Sequence, residues 1–394
     1  MDPRERRLLI AGIGFLAFSS VYANVVMAPV LGQIARDFGT TPGAAGLVVA
    51  AYGVPGIAVA VLAGPYSDQY GRRPFLVGGA LIMGGFTALA ALAPTFETLV
   101  ILRALAGVGA SLVFPNVQAT VGDVFPAYER GRVLSTVVAM NTMASIVGVP
   151  IAGILAEATS WRISLALVGF LVIVATVSLL GLVPHRPPGG DIERARELYL
   201  RIVRNRSAVA AIVSSLMGAL FWFTWVTFVV VFFESVHGLS QGQASTAALT
   251  TGLGVLVGSQ IGGRLGDRVG HRIVAAGSIA LSSVVIVVLT AFDLGLAAAI
   301  AANLVLSAVA GARFTTNQAL LIEQVPLARG TMLATSSSVV SVGIVIGAAF
   351  GGWVVDAFGF PALGVFCATA GLVSTAILLL WVTEERMDLA ETSV

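Results

Sequence analysis

Residues 64–74 read GPYSDQYGRRP, and residues 263–272 read GRLGDRVGHR. Each stretch follows one long apolar run and precedes another. The glycines permit a tight turn between two helix ends, and the charged side chains can form ion pairs in water. Because the same turn occurs twice, about 199 residues apart, the sequence indicates an internal duplication.

Further matches extend the duplication along both halves. Gly148, Gly153 and Glu157 recur at the same shift, and Gln118 and Asp123 recur at a shift of 200; the later copies are Gly347, Gly352, Asp356, Gln318 and Glu323. If each half crosses a membrane an even number of times, the two halves have the same orientation relative to that membrane. The pattern predicts two parallel repeats about an axis normal to a membrane, with a binding site between them.

The composition excludes a water-soluble domain. Hydrophobic residues make up 57% of the 394 residues and charged residues 11%, and the mean hydropathy is +0.95. A helix needs roughly 20 apolar residues to cross a bilayer, so the chain can hold about a dozen spans. We predict spans at residues 8–34, 43–65, 74–93, 97–118, 133–156, 162–183, 208–233, 241–263, 273–292, 295–318, 331–354 and 361–382.

The basic residues indicate the orientation. All 22 are arginine; with the predicted spans, eighteen fall on one side, two on the other and two within spans. The positive-inside rule predicts that both termini are cytoplasmic in a multi-pass protein of the inner membrane. The arginine cluster at 194–206 lacks interleaved aromatic residues, so we expect no nucleic-acid partner.

One connection is long. Residues 184–206 begin with a Pro- and Gly-rich segment and continue with a charged stretch that favours a helix. We predict an N-terminal six-helix bundle at residues 1–184, a cytoplasmic linker at 185–206 and a C-terminal six-helix bundle at 207–394.

The loop at 64–74 resembles the signature G-x-x-x-D-x-x-G-R-[RK] of the major facilitator superfamily, and the loop at 263–272 resembles its degenerate second copy. This resemblance implies an all-α membrane protein of twelve transmembrane helices in two parallel six-helix repeats. It also implies a cytoplasmic gate; the alternative is that these charges only anchor the topology. The gate candidates are Asp68, Arg72, Arg73, Asp123, Arg130, Asp267, Arg272, Glu323 and Arg329.

The fifth span resembles the Gly- and Pro-containing element of the proton-driven efflux branch. The match is partial, because Ser145, Val149 and Ile154 stand where the fuller motif has glycine. Small-residue stripes in the eighth and eleventh spans allow close helix packing, and the resemblance places these spans where the halves move. The packing and kink candidates are Gly148, Pro150, Gly153, Gly343, Gly347 and Gly351.

Two arginines, Arg103 and Arg313, lie within predicted spans. A charge at membrane depth usually faces a cavity or a partner, although a snorkelling side chain is the alternative. Arg103 also resembles the R-x-x-x-G element that efflux members use in proton coupling. The candidates for the substrate or proton pathway are Asn24, Arg103, Asn116, Gln118, Trp222, Trp225, Arg313, Asn317 and Gln318; polar contacts between helices and aromatic contacts with lipid are the other interpretations.

These features favour a secondary active transporter for small amphipathic organic compounds, with proton-coupled efflux implied by the resemblance. The alternative is a facilitator or symporter for an anionic metabolite. The sequence has no motif of a metalloprotease, a serine hydrolase or a P-loop, so we predict neither an enzyme nor an ATP-driven pump. The expected partners are a small-molecule substrate, protons and the lipid bilayer. We expect a monomer without cofactor or metal.

Overall fold

The computed structural model describes residues 3–183, 192–325 and 329–384, and within these ranges the regular backbone is helical and contains no strand. The first half contains α1 (Pro3–Val25), a 3-10 turn (Ala28–Val30), α2 (Leu31–Phe38), α3 (Pro42–Ala45), α4 (Leu47–Tyr70), α5 (Arg72–Ala90), α6 (Phe96–Val124), α7 (Ala127–Ala158) and α8 (Trp161–Leu179). Helix α9 (Ile192–Arg204) lies in the connection. The second half contains α10 (Arg206–His237), α11 (Gln241–Ala247), α12 (Leu249–Val269), α13 (His271–Ala291), α14 (Leu296–Gln324) and α15 (Arg329–Trp381).

Ten helical segments of the described chain are long and apolar enough to cross a membrane. The last, Thr331–Trp381, has 51 residues, about twice what one crossing needs. It bends at Gly359, whose φ of 78° and ψ of −177° are not helical. The predicted linker helix corresponds to α9, while residues 184–191 of the predicted linker lie outside the described ranges.

The duplicated loops have the same backbone geometry. Gly71 has φ 91° and ψ 150°, and Gly270 has φ 106° and ψ 137°. At the other end of the bundle, Gly39 and Gly238 end their helices with φ of 62° and 63°. A side chain would strain the backbone at all four positions. After Gly71 and Gly270 the next helix begins with the following residue, whereas a short connection follows Gly39 and Gly238.

The bundle therefore has two distinguishable ends. We call the end that carries Gly71 and Gly270 the arginine end, because the arginines of both duplicated loops lie there. Helix α1 is tied to α7 at this end by an ion pair between Arg6 and Glu129. The two halves meet where α15 packs along α3 and α4 and where α11 and α12 pack against α7.

Small residues set the spacing of the second half. A Cβ atom on Gly258 of α12 would collide with the backbone of Ala308 on α14, and a Cβ on Gly262 would collide with Ala312. On α15, Gly343, Gly347 and Gly351 lie against α10. Both glycine stripes thus pack against helices of their own half.

We expect Gly258→Ala to destabilise the protein, because overpacking a tight contact typically costs about 1–3 kcal/mol. The matched control is Gly277→Ala on α13, where a Cβ would meet no atom within 4 Å. Thermal unfolding in detergent should show a lower midpoint for Gly258→Ala and an unchanged one for Gly277→Ala. Equal midpoints in both variants would contradict the packing described for α12 and α14.

Candidate functional site

A cavity of about 960 Å³ lies between the two halves. Helices α1, α4, α6 and α7 of the first half and α10, α12, α14 and α15 of the second contribute side chains to its wall. Tyr199 of α9 contributes a phenol. Partial burial raises the pKa of Tyr199 above its ordinary value, so this hydroxyl stays protonated and can donate a hydrogen bond.

The two halves give the cavity different surfaces. The described carboxamides in its wall all come from the first half: Asn24, Gln118 and Asn141. The second half contributes the aromatic rings of Trp222, Phe223 and Phe314, and the Trp222 and Phe314 rings meet edge to face with centroids 5.6 Å apart. Tyr52 and Phe114 add two rings from the first half. In the described wall, both halves thus contribute hydroxyl groups and aromatic rings, while the carboxamides lie on the side of the first half.

The duplication shows how this difference arose. Asn24 and Phe223 occupy equivalent positions in the two repeats and both line the cavity. A carboxamide in one half thus corresponds to an aromatic ring in the other. The repeats share their helix packing but not their chemistry at the cavity.

Among the described residues of the cavity wall, Arg72 alone carries a formal charge. Its Nε donates to Oδ2 of Asp123 over 2.6 Å, so the charge is balanced within an ion pair. No carboxylate stands among the described lining residues. The wall is thus close to electrically neutral.

Arg103 lies behind the wall of the cavity. Its side chain is 1% exposed, and its Cζ lies 4.2 Å from the centroid of the Tyr52 ring. Both terminal nitrogens donate to the carbonyl of Ala23 over 3.2 Å. Because Tyr52 lines the cavity and Arg103 does not, the cation is held beneath an aromatic ring by a cation–π contact and a backbone acceptor.

Arg313 is held in a similar way in the second half. Its side chain is 5% exposed, and Nη2 donates to the carbonyl of Ser214 over 3.1 Å. A Cβ atom on Gly218 would collide with this guanidinium, so the absence of a side chain there makes room for it. Arg313 is not among the residues that line the cavity, whereas its neighbour Phe314 is.

The other predicted pathway residues divide in the same manner. Asn24, Gln118 and Trp222 line the cavity. Asn116 donates to the carbonyl of Leu112 over 2.7 Å within its own helix. Trp225, Asn317 and Gln318 also lie outside the wall: Trp225 donates to Asn303 over 2.9 Å, Asn317 donates to Ser215 over 3.0 Å, and Gln318 is exposed. A transport role for the residues outside the wall remains a prediction.

Sequence reasoning missed several lining residues, among them Tyr52, Asn141 and Phe314. Asn141 is an amide within the fifth predicted span, which is the kind of signal that identified Asn24. Its Oδ1 is buried and has no hydrogen-bond partner among the described residues.

The predicted gate residues of the first half come together at the arginine end. Besides Asp123, Arg72 contacts the hydroxyl of Ser67 over 3.1 Å. Arg73 donates to the carbonyl of Leu180, and Arg130 donates to that of Phe125 over 2.9 Å. The side chains of Asp68 and Arg329, both predicted for the gate, lie outside the described part of the structure.

The second half repeats this arrangement with a histidine in place of the first arginine. His271, equivalent to Arg72, has Nδ1 2.9 Å from Oε1 of Glu323, the equivalent of Asp123. Its Nε2 lies 3.5 Å from Oδ1 of Asp267. Arg272 bonds the carbonyls of Leu378 and Leu379, as Arg73 bonds that of Leu180.

Glu384 completes the network of the second half. Its carboxylate accepts from the backbone N–H groups of His271 over 2.6 Å and Arg272 over 3.0 Å. This carboxylate joins the last described residue of the chain to the first turn of α13. Sequence reasoning missed both His271 and Glu384, although the repeat shift places His271 opposite Arg72.

The predicted packing and kink residues of α7 lie on two faces. Gly148 lies against the ring of Tyr22 in the same half, whereas Gly153 lies against Ser245 of the second half. Pro150 lies inside α7, which continues through it. The close approach at Gly153 brings the two halves together at the end opposite the arginine end.

Comparison with known proteins agrees with this architecture. The family model for the Major Facilitator Superfamily matches residues 13–255 and 236–392. A structure of a bacterial homologue of the human lysosomal transporter Spinster, described as inward-facing and occupied, superposes with a TM-score of 0.76 at 17% identity, covering 96% of this chain and 95% of that one.

Curated relatives match over shorter stretches. The inner membrane transport protein YdhP of Escherichia coli (strain K12) is 28% identical over 228 residues, which cover 57% of this chain and 56% of YdhP. The multidrug transporter protein MdtP of Bacillus subtilis (strain 168) is 27% identical over 158 residues, which cover 40% of this chain and 29% of MdtP. The chain thus covers less than two thirds of the length of these relatives.

The family match extends over nearly the whole chain and agrees with the helical fold, the duplicated loops and the apolar spans. The chain belongs to the Major Facilitator Superfamily, and ten of its described helical segments are long and apolar enough to cross a membrane.

Proposed function

We propose that this protein is a secondary active transporter that moves small amphipathic organic compounds across the membrane by alternating access. The observation that carries the proposal is the cavity of about 960 Å³ between two homologous halves. Cavities of this size suit small organic ligands. A cavity at the interface of parallel repeats can be exposed to either side by movement of one half against the other.

The proposal includes twelve crossings with both termini in the cytoplasm. The ten apolar segments become twelve when the 51-residue segment is divided at Gly359 and α12 is added. Helix α12 contains Arg264, Asp267 and several glycines, which lower its hydropathy, but it packs lengthwise against α14. The arginine distribution supports a cytoplasmic arginine end in the inner membrane.

We assign the moving bodies to residues 1–184 and 207–394, joined by the linker at 185–206. In this structure the cavity wall includes Ser67, Arg72 and Thr331 at the arginine end. The halves are in close contact at the opposite end, where Gly153 lies against Ser245. This arrangement corresponds to an inward-facing state, the state in which the structure of the bacterial Spinster homologue was solved.

The wall of the cavity favours neutral amphipathic substrates. An apolar part can pack against Trp222, Phe223 and Phe314, while polar groups can bond the carboxamides of the first half. The name of MdtP, a multidrug transporter, supports a substrate class of this kind. Burying an unpaired charge in a nearly neutral cavity is unfavourable, which argues against permanent cations.

Proton-coupled efflux completes the proposal, and its support is the partial resemblance of α7 to the efflux element. Transport assays in proteoliposomes with a panel of neutral, anionic and quaternary ammonium compounds, with and without a pH gradient, test it directly. Uptake or efflux that responds to the gradient supports coupling. Transport that requires ATP would contradict a secondary mechanism.

A second candidate, a facilitator or symporter for an anionic metabolite, is favoured by one observation. Arg103 and Arg313 are buried and have carbonyl acceptors but no carboxylate among their described hydrogen-bond partners. Their positive charge favours an anion even from behind the wall. Preferential transport of anions in the panel, lost in Arg313→Ala, would favour this candidate.

We expect Trp222→Ala to weaken binding of neutral amphipathic substrates by roughly tenfold, since it removes an aromatic contact worth about 1–2 kcal/mol. Gln118→Ala should change selectivity among compounds that differ in polar groups. The matched control is Trp353→Ala, because Trp353 lies outside the cavity wall and is 53% exposed on the bundle surface. If Trp222→Ala and Trp353→Ala have equal affinities in counterflow assays, the aromatic wall does not bind substrate.

At the arginine end, we expect Asp123→Asn to reduce transport at least tenfold while leaving expression and membrane insertion unchanged. The reason is that it breaks the ion pair with Arg72 without exposing apolar core. The double variant Arg72→Asp/Asp123→Arg should recover part of the activity, and Glu197→Gln on the exposed face of α9 serves as the control. A transport rate in Asp123→Asn equal to that of the parent protein would show that these charges only anchor the topology of the chain in the membrane.

A further inference from the structure

Two carboxylates cross from one half of the protein to the other at the end opposite the arginine end. Glu157, near the end of α7, reaches the N-terminal turn of α11, whose cap is Ser240. Its Oε2 accepts from the backbone N–H of Gly242 over 2.5 Å and from the hydroxyl of Ser240 over 3.1 Å.

Asp356, in α15 just before the bend at Gly359, makes the same contacts in the opposite direction. Its Oδ1 accepts from the backbone N–H of Gly43 over 3.0 Å. Its Oδ2 accepts from the hydroxyl of Thr41 over 2.5 Å.

The two contacts are related by the internal duplication. Adding 199 to the numbers 41, 43 and 157 gives 240, 242 and 356, so each participant has its counterpart in the other contact. In both, an acidic side chain of one half binds a hydroxyl and a backbone N–H at a turn of the other half. Each half thus has a hydroxyl and a glycine two positions apart and an acid far along the chain from both.

The backbones around these contacts are too close to admit side chains. A Cβ on Gly43 would collide with the backbone oxygen of Gly352, and a Cβ on Gly352 would collide with that of Gly43. Nearby, Nε2 of Gln241 donates to the carbonyl of Pro29 in the other half over 2.8 Å. This end of the interface is therefore shut in the present state.

We infer that Glu157 and Asp356 form a paired latch, in which each half holds a turn of the other, and that both contacts must break before the cavity opens at this end. The inference rests on the alternating-access mechanism proposed above. A movement that separates the halves here lengthens both contacts at once. Their effects on the equilibrium between the state closed at this end and the state open at this end therefore multiply.

The charge of each carboxylate is what makes the contacts strong. Hydrogen bonds to an ionised acceptor are shorter and stronger than those to a neutral one. Both side chains are partly open to water, which weakens each contact and leaves it reversible. The conformational states of a protein differ by a few kcal/mol in free energy, so a pair of such contacts is enough to set the ratio of their populations.

Distance measurements between spin labels test the latch. The lone cysteine, Cys367, is buried, so Cys367→Ala provides a cysteine-free background. Pro94→Cys and Asp293→Cys then place labels on exposed loops at the latch end, one in each half and at equivalent positions in the repeat. Double electron–electron resonance on the purified, reconstituted protein reports the separation of the halves.

We expect the labelled parent protein to show a dominant short distance. Glu157→Gln and Asp356→Asn should each increase a longer-distance population about three- to tenfold relative to the short one, because a hydrogen bond to a charged acceptor is stronger than one to a neutral acceptor, and the double variant should combine the two factors. These changes keep the side-chain shape and one acceptor oxygen, remove the charge, and replace the second oxygen with an NH2 group that cannot accept. The control is Glu97→Gln, whose carboxylate lies at the same end and whose side-chain partner, Thr95, belongs to its own half.

Distances in the double variant that match those of the parent protein and of Glu97→Gln would overturn the latch. If transport persists in that case, alternating access stands and another contact closes this end. If no second distance population and no transport occur under any condition, the proposed function itself fails. Should one substitution prevent folding, the other single variant still decides the result, because each contact is predicted to act independently.

Discussion

A lipid bilayer offers the polypeptide backbone no hydrogen-bond partner, and every other feature of this protein depends on that constraint. It requires helices throughout the apolar spans. It also removes the hydrophobic drive for helix association, so close packing must come from small residues. Gly258 on α12 and Gly343 on α15 show the result, because each lies against the backbone of a neighbouring helix of its own half. Helices within each half are thereby closely packed, and the cavity lies between the halves.

The same constraint governs where charge is tolerated. The formal charges at depth are buried among neutral acceptors, as Arg103 is against Tyr52 and Ala23. Ion pairs occur at the arginine end, where water can reach them, and the crossed carboxylates occupy the opposite end. The protein thus keeps an almost neutral cavity between two polar ends. In the proposed mechanism, substrate selection depends on the middle of the cavity and conformational control on the two ends, and Arg72 is the residue that belongs both to the cavity wall and to the ion pair at the arginine end.

The sequence predicted the fold because its signals are local or periodic. The apolar spans, the repeated loop and the position of Gly71 before Arg72 are visible in single stretches. The sequence places Arg72 and Asp123 among the gate candidates, and in the structure their side chains form an ion pair.

Other features of the site depend on helix rotation and long-range contact, which the sequence does not specify. Arg103 and Gln118 lie on the same helix, yet Gln118 lines the cavity and Arg103 faces Tyr52. Hydropathy gives the depth of a residue in the membrane but not the direction in which it points. The contacts of Glu157 with Ser240 and of Asp356 with Thr41 join residues 83 and 315 positions apart. Their duplication was visible in the sequence, but their partners were not.

The central claim is that the two halves move against each other around the cavity. It is tested most directly by cysteines at positions 124 and 324, at the arginine ends of α6 and α14, in the Cys367→Ala background. The account predicts that a short crosslinker joins them in one state, that transport in proteoliposomes then stops, and that reduction restores it. Full transport with the crosslink complete would contradict the account.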